Sequence, residues 1–287
     1  MAARTETENL FAGITSDATQ GMVLKPALKA FLWNASFPDN FAVNFDKNQT
    51  RVPDGWFHPS EHPLMPERQL YFAARHPEHI VPELLQPYST ISVTIGKALH
   101  DFIEMCLQSM GLLMTPAMFE TEGIPYNPET REPTVECLAT GARGSMDGIS
   151  LAKLPFWPQH SRQHFEFKTS NERKLNKIKD LDLDLFRKLW PEYYAQAQEY
   201  MRMSGYRMSI VLMMALGFPW PMREFHIPYD EAFAHHIEAK YLRVRAAIAE
   251  DEANDGYAEL PIACCTVGSP AARECPAREM CPIGRAA

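Results

Sequence analysis

Two carboxylates and one lysine stand in short segments with the residue types of β-strands. Asp147 lies in Gly-Ser-Met-Asp-Gly, and Glu166 and Lys168 lie in His-Phe-Glu-Phe-Lys. Residues two apart on a strand share one face, so we expect the Lys168 ammonium beside the Glu166 carboxylate. Carboxylate oxygens are the ligands that Mg²⁺ prefers, and divalent cations can activate a water and stabilise a leaving oxygen. These residues therefore suit metal-dependent hydrolysis of a phosphodiester.

Ordinary structural roles explain each of these residues when it is taken alone. An Asp before Gly is usually a turn residue, and a Glu-x-Lys pair is common on an exposed strand face. However, Phe165 and Phe167 alternate with Glu166 and Lys168, so the strand is expected to be half buried. Carboxylates that converge in a half-buried place need a cation or a proton. This requirement favours a site over an isolated turn and surface pair.

Hydrophobic periodicity predicts the elements that must position these groups. Helices are expected near residues 24–32 and over residues 63–75, 92–113, 185–204 and 231–252. Strands are expected over residues 164–169 and 208–216, and as a pair within residues 134–149 that turns at 141–144. This order predicts an α/β core with a central mixed sheet flanked by helices. Residues 1–57 would form an irregular lead-in, residues 58–260 the core, and residues 261–287 a cysteine-bearing cap.

Composition limits the compartment and the partners. The 287 residues are 46% hydrophobic and 22% charged, as in ordinary globular proteins. The longest apolar run, residues 210–218, is shorter than the roughly 20 residues that cross a bilayer, and the first residues lack the apolar region of a secretory signal. We therefore expect a cytoplasmic protein with no membrane partner.

Charge is unevenly distributed along the chain. The net charge of −8 gives no general attraction to nucleic acid, so DNA binding would depend on a local basic surface. Residues 161–179 carry six basic and two acidic residues, a local net charge of +4. Within them, Arg173, Lys174 and Lys177, here called the basic stretch, are candidate DNA-binding residues. A solvated loop and helix start would explain the same residues equally well.

Four separated motifs resemble, in this order, the RecB-like branch of the PD-(D/E)XK nucleases. They are Gly-Lys-Ala-Leu-His at 96–100, Gly-Ser-Met-Asp-Gly at 144–148, Glu-Phe-Lys at 166–168 and Gln-Ala-Gln-Glu-Tyr at 196–200. This branch includes the CRISPR-adaptation exonucleases and the nuclease domains of RecB and AddB. Any one motif is weak, whereas all four in order are fairly specific. The resemblance extends from about residue 60 to residue 281 and implies a restriction-endonuclease-like core.

The resemblance implies a role for each matched residue. The metal ligands would be His100, Asp147, Glu166 and the main-chain carbonyl of Phe167. Lys168 would be the catalytic lysine. Gln196 and Tyr200 lie at positions i and i+4 of one helix and so share a face, which would help to hold the active site and the DNA strand. Packing within the core or on a helix surface explains the histidine, the amide and the tyrosine as well.

The implied activity is Mg²⁺- or Mn²⁺-dependent hydrolysis of DNA, as in DNA repair or recombination. An exonuclease that acts on DNA ends or single strands is favoured. A structure-specific endonuclease with the same site is the alternative among enzymes. A DNA-binding module that keeps the fold without useful catalysis is the alternative from another class, and the intact set of four candidate site residues weighs against it.

The sequence has six cysteines, which in an intracellular chain are metal ligands, reactive groups or buried residues more often than disulfides. Cys106 and Cys137 are expected to be core residues. Many members of the branch hold a four-cysteine iron–sulfur cluster. Here Met65 and Ala272 stand where two of those cysteines are expected.

The C-terminal cysteines offer a substitute ligand set. The four candidates are Cys264, Cys265, Cys275 and Cys281. Groups of four thiolates bind either an iron–sulfur cluster or zinc, and the resemblance favours the [4Fe-4S] cluster slightly. Adjacent cysteines are geometrically awkward ligands for one metal ion. A tail whose cysteines are buried or free remains the alternative.

Overall fold

The structure is a computed structural model that describes residues 21–33, 54–79, 87–155, 162–216, 220–254, 260–261 and 263–286. Most of the predicted lead-in lies outside the described residues, and the predicted boundaries of the three regions stay a prediction. The helices are α1 (Leu24–Trp33), α2 (Glu67–Arg75), α3 (Pro87–Ser109), α4 (Pro116–Glu122), α5 (Glu172–Leu175), α6 (Leu183–Leu189), α7 (Pro191–Ser204), α8 (Glu231–Ala253), α9 (Pro270–Arg273) and α10 (Pro282–Arg285). The strands are β1 (Thr134–Cys137), β2 (Ala142–Ser145), β3 (Gly148–Ser150), β4 (Gln163–Ser170), β5 (Met208–Ala215) and β6 (Met222–Pro228).

Four of the strands form a mixed sheet in the order β3-β4-β5-β6. The central pair β4 and β5 is parallel, and the two outer pairs are antiparallel. Strands β1 and β2 form a separate antiparallel ribbon. The expected α/β arrangement with a mixed sheet is confirmed at this level.

Helices cover both faces of the sheet because β5 is apolar on both sides. Ile210 and Leu212 belong to one cluster and pack with α1 and α3, whereas Val211 between them packs with α6 and α7 on the opposite face. Every residue of β5 is buried, as is typical of a central strand with a helix layer on each side. In the described part of the chain, no helix combines the length and apolar character that crossing a membrane requires.

The predicted helix over residues 185–204 is divided in the structure. Helix α6 ends at Leu189 and α7 begins at Pro191, with Trp190 between them at φ −137° and ψ 63°. Proline has no N–H for a helical hydrogen bond and disfavours the helical conformation of the residue before it. The apolar pattern continues across this break, so periodicity alone did not reveal it. Helix α3 also begins earlier than predicted and ends at Ser109.

The predicted turn at residues 141–144 is wrong. The turn occupies residues 138–141, and Gly144 lies in β2, paired with Val135. A Cβ atom on Gly144 would lie 2.9 Å from Pro59 Cδ and 2.9 Å from Tyr200 Oη. This glycine therefore permits a close approach of neighbouring groups and does not form the turn.

Candidate metal centre

Asp147 is held at the point where the chain passes from β2 to β3. Its Oδ2 accepts a hydrogen bond of 2.8 Å from the main-chain N–H of Phe167 in β4. The following residue, Gly148, pairs with Phe165 of the same strand. The short β3 pairing and this hydrogen bond together fix the Asp147 carboxylate against the middle of β4.

Strand β4 presents Glu166 and Lys168 on one face, as the sequence predicted. Phe165 and Phe167 point to the opposite face and are buried in the core with α1 and α3. Lys168 Nζ lies 2.5 Å from Glu166 Oε2 and 3.7 Å from Asp147 Oδ2. The lysine ammonium therefore lies between the two candidate metal-binding carboxylates.

His100 reaches the same place from α3. Its Nε2 lies 3.1 Å from Asp147 Oδ2 and 3.3 Å from Glu104 Oε1. These are ion-pair distances, but the geometry does not satisfy a directed hydrogen bond at Nε2. Burial by itself would lower the pKa of His100, and the charges of Asp147 and Glu104 raise it well above its ordinary value.

Two further carboxylates, which the sequence analysis missed, complete what we call the acidic cluster. The acidic cluster is Glu104, Glu132 and Asp147; the predicted ligand Glu166 lies beside it and is connected to Asp147 through Lys168. One ligand atom each of His100, Glu132 and Asp147 lies within 4.8 Å of the others. Glu132 comes from the loop before β1, and no pattern in the sequence singles it out. Glu104 lies four residues after His100 on α3, so helical spacing would have placed it on the same face.

Burial and neighbouring charges shift the pKa values of Glu104, Asp147 and Lys168. Burial raises the pKa of Glu104 to about 8, with Asp147 and Glu132 adding to the rise although His100 opposes it. For Asp147, burial would also raise the pKa, but Lys168 and His100 hold it well below its ordinary value. Burial would lower the pKa of Lys168, and the neighbouring carboxylates raise it instead.

Three buried polar atoms at this centre make no hydrogen bond within the described part of the chain. They are His100 Nε2, Glu104 Oε1 and Glu166 Oε2. Each of them nevertheless belongs to an ion pair, His100 Nε2 with Asp147 and Glu104, and Glu166 Oε2 with Lys168. Carboxylate oxygens with one imidazole nitrogen form a donor set that suits Mg²⁺ or Mn²⁺. The residues present therefore fit a divalent cation.

Helix α7 packs on the face of β4 that carries Glu166 and Lys168. Gln196 Nε2 lies 3.5 Å from Glu166 Oε1, at the limit of a hydrogen bond. Tyr200 donates a 2.5 Å hydrogen bond to the main-chain carbonyl of Ser145, two residues before Asp147. Gln196 and Tyr200 share one face of α7 by helical spacing. Through this face the helix contacts the Glu166 carboxylate and the main chain that leads to Asp147.

The basic stretch follows β4 directly, in and just after α5. Arg173 and Lys177 are exposed, and Lys174 Nζ lies 5.0 Å from the centre of the Trp190 ring. This surface position is compatible both with DNA binding and with a solvated loop and helix start, the two roles that the sequence left open.

The four C-terminal cysteines surround one small cavity, which Arg68 and Phe72 of α2 also line. Burial, followed by the neighbouring Cys265 thiol, raises the pKa of Cys264. Among the described residues, the sulfur atoms do not include three that lie within 4.8 Å of one another. Of the other two cysteines, Cys106 is buried as expected, while Cys137 is only partly buried and lies 3.8 Å from Arg202 Nη1.

Comparisons with known proteins add no functional name. No protein-family model matches the sequence, and no curated protein matches it. A solved structure described as that of SSO0001 is similar at a TM-score of 0.37 and 15% identity, over 92% of this chain and 98% of that chain. This similarity is too distant to indicate an activity.

Glu132 provides a test of the metal centre that is independent of DNA. We expect Glu132→Gln to weaken Mn²⁺ binding at least about tenfold, because even the loss of a supporting partner of a metal ligand commonly costs that much. Isothermal titration calorimetry of the protein with MnCl₂ measures this change. Glu129→Gln is the matched control, since Glu129 is exposed and three residues away in the same loop. Equal Mn²⁺ affinities for the two variants would show that Glu132 is not a metal ligand.

Proposed function

We propose that this protein is a metal-dependent deoxyribonuclease with a restriction-endonuclease-like core of the RecB-like PD-(D/E)XK branch. One observation carries the proposal: the Lys168 ammonium lies between two carboxylates, 3.7 Å from Asp147 Oδ2 and 2.5 Å from Glu166 Oε2. Buried acids with a lysine on the same strand face are the parts that phosphodiester hydrolysis with a divalent cation requires.

The residues of the centre divide into ligands and a positive group. Asp147, Glu166, His100 and the carbonyl of Phe167 would hold Mg²⁺ or Mn²⁺, and Glu132 joins them by its distance from His100 and Asp147. When bound, the cation would polarise a phosphate oxygen and lower the pKa of a bound water. Lys168 would orient the attacking water or offset negative charge as it develops on the phosphate.

The arrangement of elements also supports the proposed core. A helix that carries His100 precedes the sheet, and β3, which begins directly after Asp147, pairs antiparallel with β4. Next comes a parallel crossover through α5 to α7, which returns the chain to β5 beside β4. The four motifs therefore meet on neighbouring elements. DNA ends or single strands are the substrates that we propose, with the basic stretch as a contact to the phosphates.

Replacement of the two key side chains should separate metal binding from catalysis. We expect Asp147→Asn to lose both Mn²⁺ binding and cleavage. Lys168→Ala should keep Mn²⁺ binding, because the competing ammonium is gone, but should lower kcat by about 100-fold or more, as removal of one charge-stabilising donor commonly does. Lys188→Ala, at an exposed lysine on α6, is the control.

Cleavage would be measured with Mn²⁺ on single- and double-stranded oligonucleotides labelled at either end, and on closed circular plasmid. Stepwise shortening from an end supports the exonuclease. Nicking of the plasmid would instead support the endonuclease with the same site. DNA binding without any metal-dependent cleavage would contradict the proposal and leave a binding module of the same fold.

The basic stretch is tested by the salt dependence of DNA binding. The triple variant Arg173→Ala, Lys174→Ala, Lys177→Ala should reduce the logarithmic salt slope by up to roughly 2, because each contact with a single-strand phosphate contributes about 0.7. Fluorescence anisotropy with a labelled single strand at several salt concentrations measures the slope. The triple variant Lys29→Ala, Lys153→Ala, Lys188→Ala removes the same charge from other exposed positions. An equal slope for both variants would show that the basic stretch is only a solvated surface.

We propose further that the C-terminal cysteines bind an iron–sulfur cluster. Tetrahedral zinc with Zn–S bonds of about 2.3 Å would hold its sulfur atoms only about 3.8 Å apart. Among the described residues, no three of the cysteine sulfur atoms lie within even 4.8 Å of one another. A cluster occupies the space between its thiolates, and the adjacent Cys264 and Cys265 could bind different iron atoms.

Protein purified without oxygen should accordingly be brown and contain iron and inorganic sulfide. Cys275→Ser should lose the colour and most of the iron, because one of four ligands is removed. Cys137→Ser, at a cysteine far along the chain in β1, should keep both. Stoichiometric zinc would show that the cysteines bind zinc and not an iron–sulfur cluster. Colourless protein with neither metal would show that the cysteines of the tail are buried or free.

A further inference from the structure

We propose that His164 is a positioning residue that fixes Glu166 so that only one carboxylate oxygen faces the metal centre. The inference rests on the proposed function, because it concerns the orientation of a metal ligand. His164 was not among the candidate residues in the sequence. It lies two residues before Glu166 on β4 and therefore on the same face of the strand.

Both ring nitrogens of His164 are engaged in the interior. Nε2 lies 3.0 Å from Glu166 Oε1, and Nδ1 lies 2.8 Å from Ser209 Oγ. His164 and Ser209 are fully buried, and they are direct partners in the parallel pairing of β4 and β5. A carboxylate oxygen can only accept, so Nε2 donates to Glu166. In the neutral ring Nδ1 then accepts from the Ser209 hydroxyl, which fixes the tautomer.

The same geometry gives the two oxygens of Glu166 different surroundings. Oε1 is contacted by His164 Nε2 and, at 3.5 Å, by Gln196 Nε2. Oε2 lies 2.5 Å from Lys168 Nζ but takes part in no directed hydrogen bond within the described residues. The neutral donors therefore hold the oxygen that faces away from the lysine. The oxygen that faces Lys168 is ion-paired with the ammonium, and it is the oxygen for which a cation would compete.

Helix α7 packs against the His164 ring through Tyr200. The Tyr200 ring lies 5.0 Å from the His164 ring, centre to centre, and Tyr200 also contacts the Ser145 carbonyl. The imidazole thus has a packed ring face, a fixed tautomer and one donor aimed at Glu166. Such partners of metal ligands orient the ligand, and their loss typically lowers metal affinity or activity about 10- to 100-fold.

Two substitutions at His164 distinguish a donor to Glu166 from simple packing. The amide nitrogen of His164→Gln occupies about the position of Nε2 and can still donate to Glu166. The shorter amide of His164→Asn occupies about the position of Nδ1, so it can reach Ser209 but not Glu166. The two variants bury similar polar groups, which makes them a matched pair.

Mn²⁺ affinity without DNA, measured by calorimetry, is the main readout, with kcat at saturating Mn²⁺ and the Tm of each variant beside it. We expect His164→Asn to weaken Mn²⁺ binding about 10- to 100-fold, and His164→Gln to restore most of the loss at a similar Tm. Equal weakening by both variants, or none by either, would overturn the positioning role.

Ser209→Ala keeps the inference testable if either His164 variant fails to fold. It removes only the hydroxyl that fixes the tautomer, so we expect weaker Mn²⁺ binding together with a modestly lower Tm, because Nδ1 loses its buried partner. Unchanged Mn²⁺ affinity in folded Ser209→Ala would count against the inference. If the unmodified protein neither binds Mn²⁺ nor cleaves DNA, the proposed function fails and this inference fails with it. If the unmodified protein does both, a negative result at His164 and Ser209 overturns this inference alone.

Discussion

A single oxygen atom, Asp147 Oδ2, connects the elements on which the centre depends. It accepts the Phe167 N–H at 2.8 Å and lies 3.1 Å from His100 Nε2 and 3.7 Å from Lys168 Nζ. Helix α3, the passage from β2 to β3 and strand β4 therefore meet at one carboxylate. Because the group is largely buried, the loss of either positive neighbour would leave its charge only partly compensated and would destabilise the fold.

The alternation of β4 allows one strand to serve both the core and the centre. Its aromatic residues fill the layer beneath α1 and α3, while the side chains between them point to α7 and the acidic cluster. The backbone geometry that locks Phe165 and Phe167 into the core thus sets the positions of Glu166 and Lys168. A substitution that repacks the aromatic face would therefore also move the polar face.

The parts that could be predicted from the sequence are those that depend on local periodicity. Alternation along β4 predicted the shared face of Glu166 and Lys168, and helical spacing predicted the shared face of Gln196 and Tyr200; both pairings are found in the structure. Glu132 could not be found in this way, because a loop residue reaches His100 and Asp147 only through tertiary folding. The role of Gly144 was also misjudged, since the approach of Tyr200 comes from a distant helix.

Lys168 offsets buried negative charge in this structure, and the proposed function would give it a second role once a cation is bound. Without a cation, its ammonium offsets the buried charge of Asp147 and Glu166, and their charges raise its pKa in return. A cation bound by the same oxygens would compete with the ammonium for them and weaken that hold, because like charges repel across such short distances. The lysine would then be free to meet the negative charge of a phosphate. A fixed Glu166, supported at Oε1 by neutral donors, would keep Oε2 in place through this exchange, whereas an unsupported carboxylate could follow the lysine away from the centre.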